Sequence, residues 1–220
     1  MSPLRRLIVS AAAAVLAAAP VLADSQDESP NMQLLAAARA GDSAGVARAL
    51  ANGATPNARN RVGETALVIT LKAGRTDLAR QMLDAGTDVN LPAANGVTPL
   101  MAAAYAGQTD IARALLAKGA SIEPVDQLKK NAMTYAAGQG STEIVRLLLG
   151  AGIDPNAIYE HRLTALMWAA GYGQTATVRL LLTAGARADF RDDRGKSALD
   201  IAREGNFAET VKLLEAATKT

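Results

Sequence analysis

The chain repeats itself every 33 residues, and that period constrains its fold more than any other feature. Three columns keep the period without an insertion. A helix-start position falls at Thr65, Thr98, Asn131, Thr164 and Ser197. A helix-stop position falls at Gly41, Gly74, Gly107, Gly140 and Gly173, with Asn206 in the sixth place. A closing position falls at Gly53, Gly86, Gly119, Gly152 and Gly185. Small side chains with a free oxygen suit helix N-caps, and glycine takes the left-handed backbone that ends a helix. A fixed period of this length marks a stacked array, in which no unit buries its apolar face alone.

The third unit shows the physics. Leu100, Ala103 and Ala104 lie three and four apart, one face of a helix. Ile111, Leu115 and Leu116 form the apolar stripe of a second helix that packs on the first. The chain is 50% hydrophobic but only 3% aromatic, which suits thin Ala- and Leu-rich helices at close approach and excludes a disordered chain.

The wording of the unit resembles the ankyrin repeat. Gly96-Val97-Thr98-Pro99-Leu100 matches that family's opening, Leu115-Leu116 with Gly119-Ala120 its close, and Gly86-Thr87-Asp88-Val89-Asn90 its last segment. The resemblance covers residues 32–214. It implies an all-α ankyrin-repeat solenoid of about six helix-turn-helix repeats with short turn fingers, spanning residues 31–217, the first and last repeats as caps, and a tail at 218–220. Asn31 is expected to open the first, degenerate unit. The last unit suits a cap because Glu215 stands where Leu83, Leu116, Leu149 and Leu182 are expected to be buried, and Arg203 replaces Ala104, Ala137 and Ala170. One unit keeps the Thr-Pro pair. The family's histidine is replaced by Val68, Met101, Thr134, Met167 and Asp200, and Lys129 and Arg162 stand at the turn glycine filled by Gly63, Gly96 and Gly195.

Residues 1–23 read differently. Arg5-Arg6, an apolar run from Leu7 to Ala19 and Val21-Leu22-Ala23 compose a secretory signal peptide with expected cleavage after Ala23. The apolar run is short of the ~20 residues a membrane-spanning helix needs. A periplasmic or secreted protein is therefore expected, with no stable membrane insertion after cleavage. Residues 24–30 are polar and acidic and read as a flexible leader. Loss of Arg5 and Arg6 takes 23 Lys+Arg to 21, equal to the 21 Asp+Glu, so the basic precursor pI argues for no nucleic-acid partner.

Catalysis finds little to work with. There is no Cys, which removes disulfides, thiol catalysis and thiolate metal sites together. His161 is the single histidine and falls at a turn, so a multi-histidine metal site is excluded. Gly171-Tyr172-Gly173 is a helix stop, not a phosphate cradle, and Asp192 and Asp193 lie between Arg191 and Arg194 as local charge compensation. No enzyme, cofactor or metal is expected. A hydrolase or transferase remains only a distant alternative.

The resemblance implies binding of another protein by a monomeric chain, through inter-repeat turn tips and the exposed ends of the first helices. Carried over by position, the contact residues are Arg61, Lys72, Asn95, Tyr105, Gln127, Lys129, Gln139, Tyr159, His161 and Tyr172. Three of four tyrosines fall there, and tyrosine is enriched among interface hot spots. Trp168 shares a column with Ile69, Ala102, Tyr135 and Ile201 and reads as inter-repeat packing; Met101 and Met167 read as core edge. Arg80, Arg113, Arg146, Arg179 and Lys212 recur on the second helices, mostly with an acid three residues before, and read as a self-compensated outer face. The roles in view are a scaffold or protector of a periplasmic enzyme and, alternatively, an immunity protein that neutralises a toxin.

Overall fold

The computed structural model describes residues 29–218. The expected signal segment and most of the expected leader lie outside the described residues, as do 219 and 220. Twelve α-helices follow in pairs: α1 (Pro30–Ala40) with α2 (Ser43–Ala51), α3 (Ala66–Lys72) with α4 (Thr76–Asp84), and α5 (Pro99–Tyr105) with α6 (Thr109–Ala117). Then come α7 (Ala132–Gln139) with α8 (Thr142–Gly150), α9 (Ala165–Gly171) with α10 (Thr175–Thr183), and α11 (Ala198–Glu204) with α12 (Ala208–Ala217). Each first helix packs on the first helix of the next repeat, and the second helices stack alongside. Among the described residues there are no strands, only one isolated bridge between Arg59 and Thr65.

Every member of the helix-start column is an N-cap. Thr65, Thr98, Asn131, Thr164 and Ser197 accept the backbone N–H three residues on, at 3.0–3.3 Å. Each thereby answers one of the four donors that a helix start leaves unpaired. The first repeat departs from expectation: its cap is Ser29, with Pro30 in the first turn, and not Asn31. Asn31 instead accepts the Thr55 N–H at 2.8 Å and ties the first helix to the loop after α2.

The core is one continuous Ala/Leu layer. Met82, Leu115, Leu148, Leu181 and Leu214, one per repeat, are all fully buried, as are Ala103, Ala136 and Ala169 between the first helices. Met101 and Met167 are buried as expected. The outer leucine column is a correction: Leu83 is buried, but Leu116, Leu149 and Leu182 are only half-buried, because they lie at the edge of the second-helix layer. At the end of the stack Arg203 reaches Glu215 at 2.6 Å, a polar pair where inner repeats place apolar groups.

Hydrogen bonds staple repeat to repeat in columns. Arg75, Ser141 and Gln174, each the N-cap residue of a second helix, donate to carbonyls at the end of the preceding repeat's first helix: Ala38 and Arg39, Ala104, and Gly138. Gln108, in the same column, is buried with no partner for its amide. Asn57, Asn90 and Asn156 accept backbone N–H groups of the next repeat at 2.8 Å. Glu123 stands between Asn90 and Asn156 in that column and makes no such bond, so the staple is missing between the segments that lead into the fourth and fifth repeats.

Candidate functional site

Three of the five turn tips are clamped by one side chain, while the tip at Ala93 closes through its backbone, Gly96 N–H to the Ala93 carbonyl and Ala93 N–H to the Val97 carbonyl. Asn60, Asp126 and Asp192 stand at the start of a turn, and one oxygen of each accepts two backbone N–H groups, at 2.8–3.0 Å, from residues two and four further on. Such a clamp fixes the turn and leaves the tip residues outward. Burial works to raise the Asp192 carboxyl pKa, but donation from Lys196 and Arg194 and the Arg194 guanidinium outweigh it and hold the group below its usual range. Tip backbones then pair across repeats: Ala94 N–H donates to the Val62 carbonyl, Gln127 N–H to Asn95, and Asp193 N–H to His161, at 2.9–3.1 Å.

The tip leading into the fifth repeat breaks this pattern. Tyr159 occupies the clamp column and cannot accept the two N–H groups. The turn closes instead through Leu163 N–H to the Glu160 carbonyl, over a 3-10 turn at Glu160–Arg162. His161 and Arg162 both take left-handed backbone, φ 57° and 56°. By register the missing rung would join Glu160 N–H to the Leu128 carbonyl, and no such bond forms among the described residues. Lys129 behaves otherwise. It keeps the glycine geometry at φ 55° and donates to Asp126 just as Gly63 donates to Asn60.

The result is a cleft of about 270 Å³ between the fourth and fifth tips, walled by Leu128, Lys129, Lys130, Glu160, Leu163 and Trp168. Two polar atoms of residues that line it, the Tyr159 hydroxyl and Trp168 Nε1, are enclosed without a hydrogen-bond partner. Burial pushes the Tyr159 phenol pKa up, partly offset by the nearby Asn131 side chain. Tyr159 was expected to face outward; it is half-buried and packs against the core, because its position faces inward in every repeat, as the burial of Ala93, Asp126 and Asp192 shows.

Beside the cleft runs an aromatic row that sequence reading missed as a unit. Tyr105 meets Tyr135 edge-on at 5.8 Å, and Trp168 stacks on Tyr172 at 6.2 Å. The Lys130 ammonium lies between the two pairs, 5.7 Å from Tyr135 and 4.7 Å from Trp168. Column logic explains it. Glu64 pairs with Lys72, and Lys196 with Glu204, eight residues along. Gly138 is the equivalent partner of Lys130 and offers no charge, and the Trp168 and Tyr172 rings lie over it at ordinary contact distance, 3.6–3.8 Å from where a Cβ would sit. Burial, then the bond its hydroxyl donates to Asp126, pushes the Tyr135 phenol pKa up. The two glycines, Gly138 and Gly171, in a column that elsewhere carries Lys72, Tyr105 and Glu204 were the available signal.

Of the other expected contact residues, Arg61, Lys72, Asn95, Tyr105, Gln127, Lys129, Gln139, His161 and Tyr172 are all exposed, along the tips and first-helix ends. Tyr105 and Tyr172 are each 57% exposed and Leu128 66%. Several are already engaged: Lys72 with Glu64 at 2.7 Å, Gln127 with the Ala94 carbonyl at 3.1 Å, and His161 Nδ1 with Asp193 at 3.5 Å. On the opposite face Arg146 pairs with Glu143 at 3.4 Å, whereas Arg80, Arg113 and Lys212 reach no acid within salt-bridge distance. Among the described residues no cluster of three His, Cys, Asp or Glu side chains could hold a metal, and no helix is long and apolar enough to cross a membrane.

A family model for ankyrin repeats (3 copies) matches residues 34–126, 85–159 and 133–219, three overlapping placements that together take in nearly all of the described chain. No curated protein matches the sequence.

Proposed function

Because the chain belongs to the ankyrin-repeat family, generally a non-catalytic protein-interaction scaffold, we propose that it is exported and works by capturing one partner protein on the tip and first-helix face of its third to fifth repeats. The observation that carries this reading is the exposure there of Tyr105, Tyr172 and Leu128, held by a stack whose other large apolar side chains are mostly buried. Large rigid rings bury much area while freezing few rotors, which is why they dominate interface energetics.

Arg5-Arg6, the apolar run and Val21-Leu22-Ala23 support export, and the role we favour is protection or scaffolding of an enzyme outside the cytoplasm. Two measurements test the reading. Intact mass of the protein from the extracytoplasmic fraction is expected to begin at Asp24; a full-length product retained in the cytoplasm overturns export. Capture from that same fraction is expected to return one protein with the wild type and to lose it with Tyr105→Ala plus Tyr172→Ala. If the captured protein is a toxin, the immunity role replaces protection. If capture survives the tyrosine changes and depends on Arg80 and Arg113, the face is wrong.

A further inference from the structure

The junction between the fourth and fifth repeats is where several defects coincide. The asparagine staple is absent at Glu123, and the tip rung between Leu128 and Glu160 is not made. Three non-glycine residues take left-handed backbone at its two tips, Lys129, His161 and Arg162. Two polar hydrogens, on Tyr159 and Trp168 Nε1, have no acceptor. Local strain and unsatisfied groups persist in folded chains where something else is gained, most often at functional sites.

The unmade rung leaves one donor and one acceptor, the Glu160 backbone N–H and the Leu128 carbonyl, as an extended backbone requires, and the indole N–H beside them is also without a partner. Of the residues that line the cleft, Lys129 and Lys130 bring positive charge without an ion pair against Glu160 as the one acid, while His161 is in contact with Asp193 and the acids Asp154 and Glu123 act on Tyr159 from behind. The floor is apolar, from Leu128, Leu163 and the Trp168 ring. About 270 Å³ falls below the ~300–1,000 Å³ of small-molecule pockets, so it suits a side chain and its flanking backbone better than a cofactor.

We propose that this cleft is a peptide subsite that takes an extended acidic segment of the partner protein. One apolar side chain enters between the tips over Trp168, the segment's backbone fills the unmade rung between Leu128 and Glu160, and flanking carboxylates lie on Lys129 and Lys130. Main-chain bonding of this kind supplies affinity while the pocket selects the side chain. The inference rests on the protein-capture reading and specifies how that surface selects.

Trp168 is the sole tryptophan and sits in the cleft wall, so its emission reports occupancy directly. The probe is acetyl-Gly-Glu-Leu-Glu-Gly-amide, compared with the same peptide carrying Gln-Leu-Gln, Glu-Gly-Glu or Lys-Leu-Lys, titrated into the full chain. The acidic leucine peptide is expected to shift the emission saturably, to bind about tenfold more tightly than the glutamine peptide, and to weaken as salt rises. Lys129→Gly restores the residue found at Gly63 and Gly96, so its fold is secure, and it is expected to weaken the peptide several-fold. Equal response to the glutamine or lysine peptide, no saturable response to any of them, or self-association in place of binding overturns the proposal. If the peptides fail while capture is still lost on Tyr105→Ala plus Tyr172→Ala, the subsite falls and the capture reading stands.

Discussion

The Lys130 ammonium stands 4.7 Å from the centre of the Trp168 ring, so a cation from the turn before the fourth repeat is held by an aromatic side chain of the fifth. Glu64 and Lys196, at the same place in their own repeats, find a charged partner eight residues along; Lys130 finds Gly138 and turns to the rings instead. A cation on an aromatic face is worth about 0.5–2 kcal/mol, depending on how dry the contact is. Lys130→Met keeps the aliphatic stem and removes the charge. It is expected to lower stability within that range, while Lys130→Arg retains most of it. Chemical denaturation followed at Trp168 measures both, and equal midpoints for all three proteins would contradict the contact.

Lys129 is strained in a way its neighbours are not. It holds φ 55° and the same backbone bond that Gly63 makes. A side chain in left-handed backbone costs about 1–2 kcal/mol, and glycine's extra unfolded-state freedom returns about 0.5–1 of that. Lys129→Gly is therefore expected to stabilise the chain by up to about 1 kcal/mol. Lys129→Val, β-branched at the same angle, is expected to destabilise it. Reversed signs in urea unfolding would mean the turn relaxes to another type.

Leu148 lies in a central repeat and Leu214 in the last, both fully buried. Leu148→Ala is expected to cost about 2–5 kcal/mol from lost transfer energy and the cavity left behind. Leu214→Ala is expected to cost less, because α12 has a neighbouring repeat on one side only and can close in on the gap. Equal losses would argue against nearest-neighbour stacking.

Asp192 sets the acid sensitivity of the tip leading into the sixth repeat. Its folded pKa lies below the ordinary value, because the hydrogen bonds and charge supplied by Lys196 and Arg194 overcome its burial. An unfolded aspartate titrates near pH 3.9, so the unfolded chain takes up this proton first as pH falls. The stability that Asp192 contributes is complete above about pH 4 and is lost as pH drops through its lowered folded pKa. Asp192→Asn keeps the oxygen that clamps two N–H groups, as Asn60 does in its own turn. The variant is expected to be less stable than wild type near neutrality, where the charge pairing with Arg194 is lost, and to converge with it in acid, giving a flatter acid limb; identical pH profiles between 2 and 7 would remove Asp192 from this role.

The parts of this molecule that depend on one residue per repeat were legible in the sequence. Thr98 and its column announced the caps, Gly107 and its column the helix stops, and Lys129 the left-handed turn, since each needs only its local backbone. What was not legible involves several repeats at once. The Trp168–Tyr172 stack lies over Gly138 of the preceding repeat, and the Lys130 slot requires Tyr135 and Trp168 from two different helices. Tyr159 misled because a tyrosine at a tip resembles a contact residue; its column, which holds Asn60, Ala93, Asp126 and Asp192, is buried or half-buried throughout.

Tyr105 and Tyr172 remain the most informative pair to change. Each is 57% exposed, yet each also touches a half-buried ring, Tyr135 or Trp168. Removing either is expected to cost stability by about 0.5–1.5 kcal/mol, the worth of an aromatic contact beyond its area. Loss of a central aromatic anchor from an interface costs about 2 kcal/mol or more, so the double change is expected to weaken partner capture by more than about tenfold. The two effects separate cleanly, because a stack of six repeats with an intact core tolerates the first loss and stays folded. Arg80→Ala with Arg113→Ala supplies the counterpart: both side chains are exposed on the second helices, away from the tips, and are expected to leave capture unchanged. Titration of each variant against the captured protein, with far-ultraviolet circular dichroism confirming the helices, measures the difference. Retained capture in the tyrosine variant together with loss in the arginine variant would move the binding surface to the opposite side of the stack.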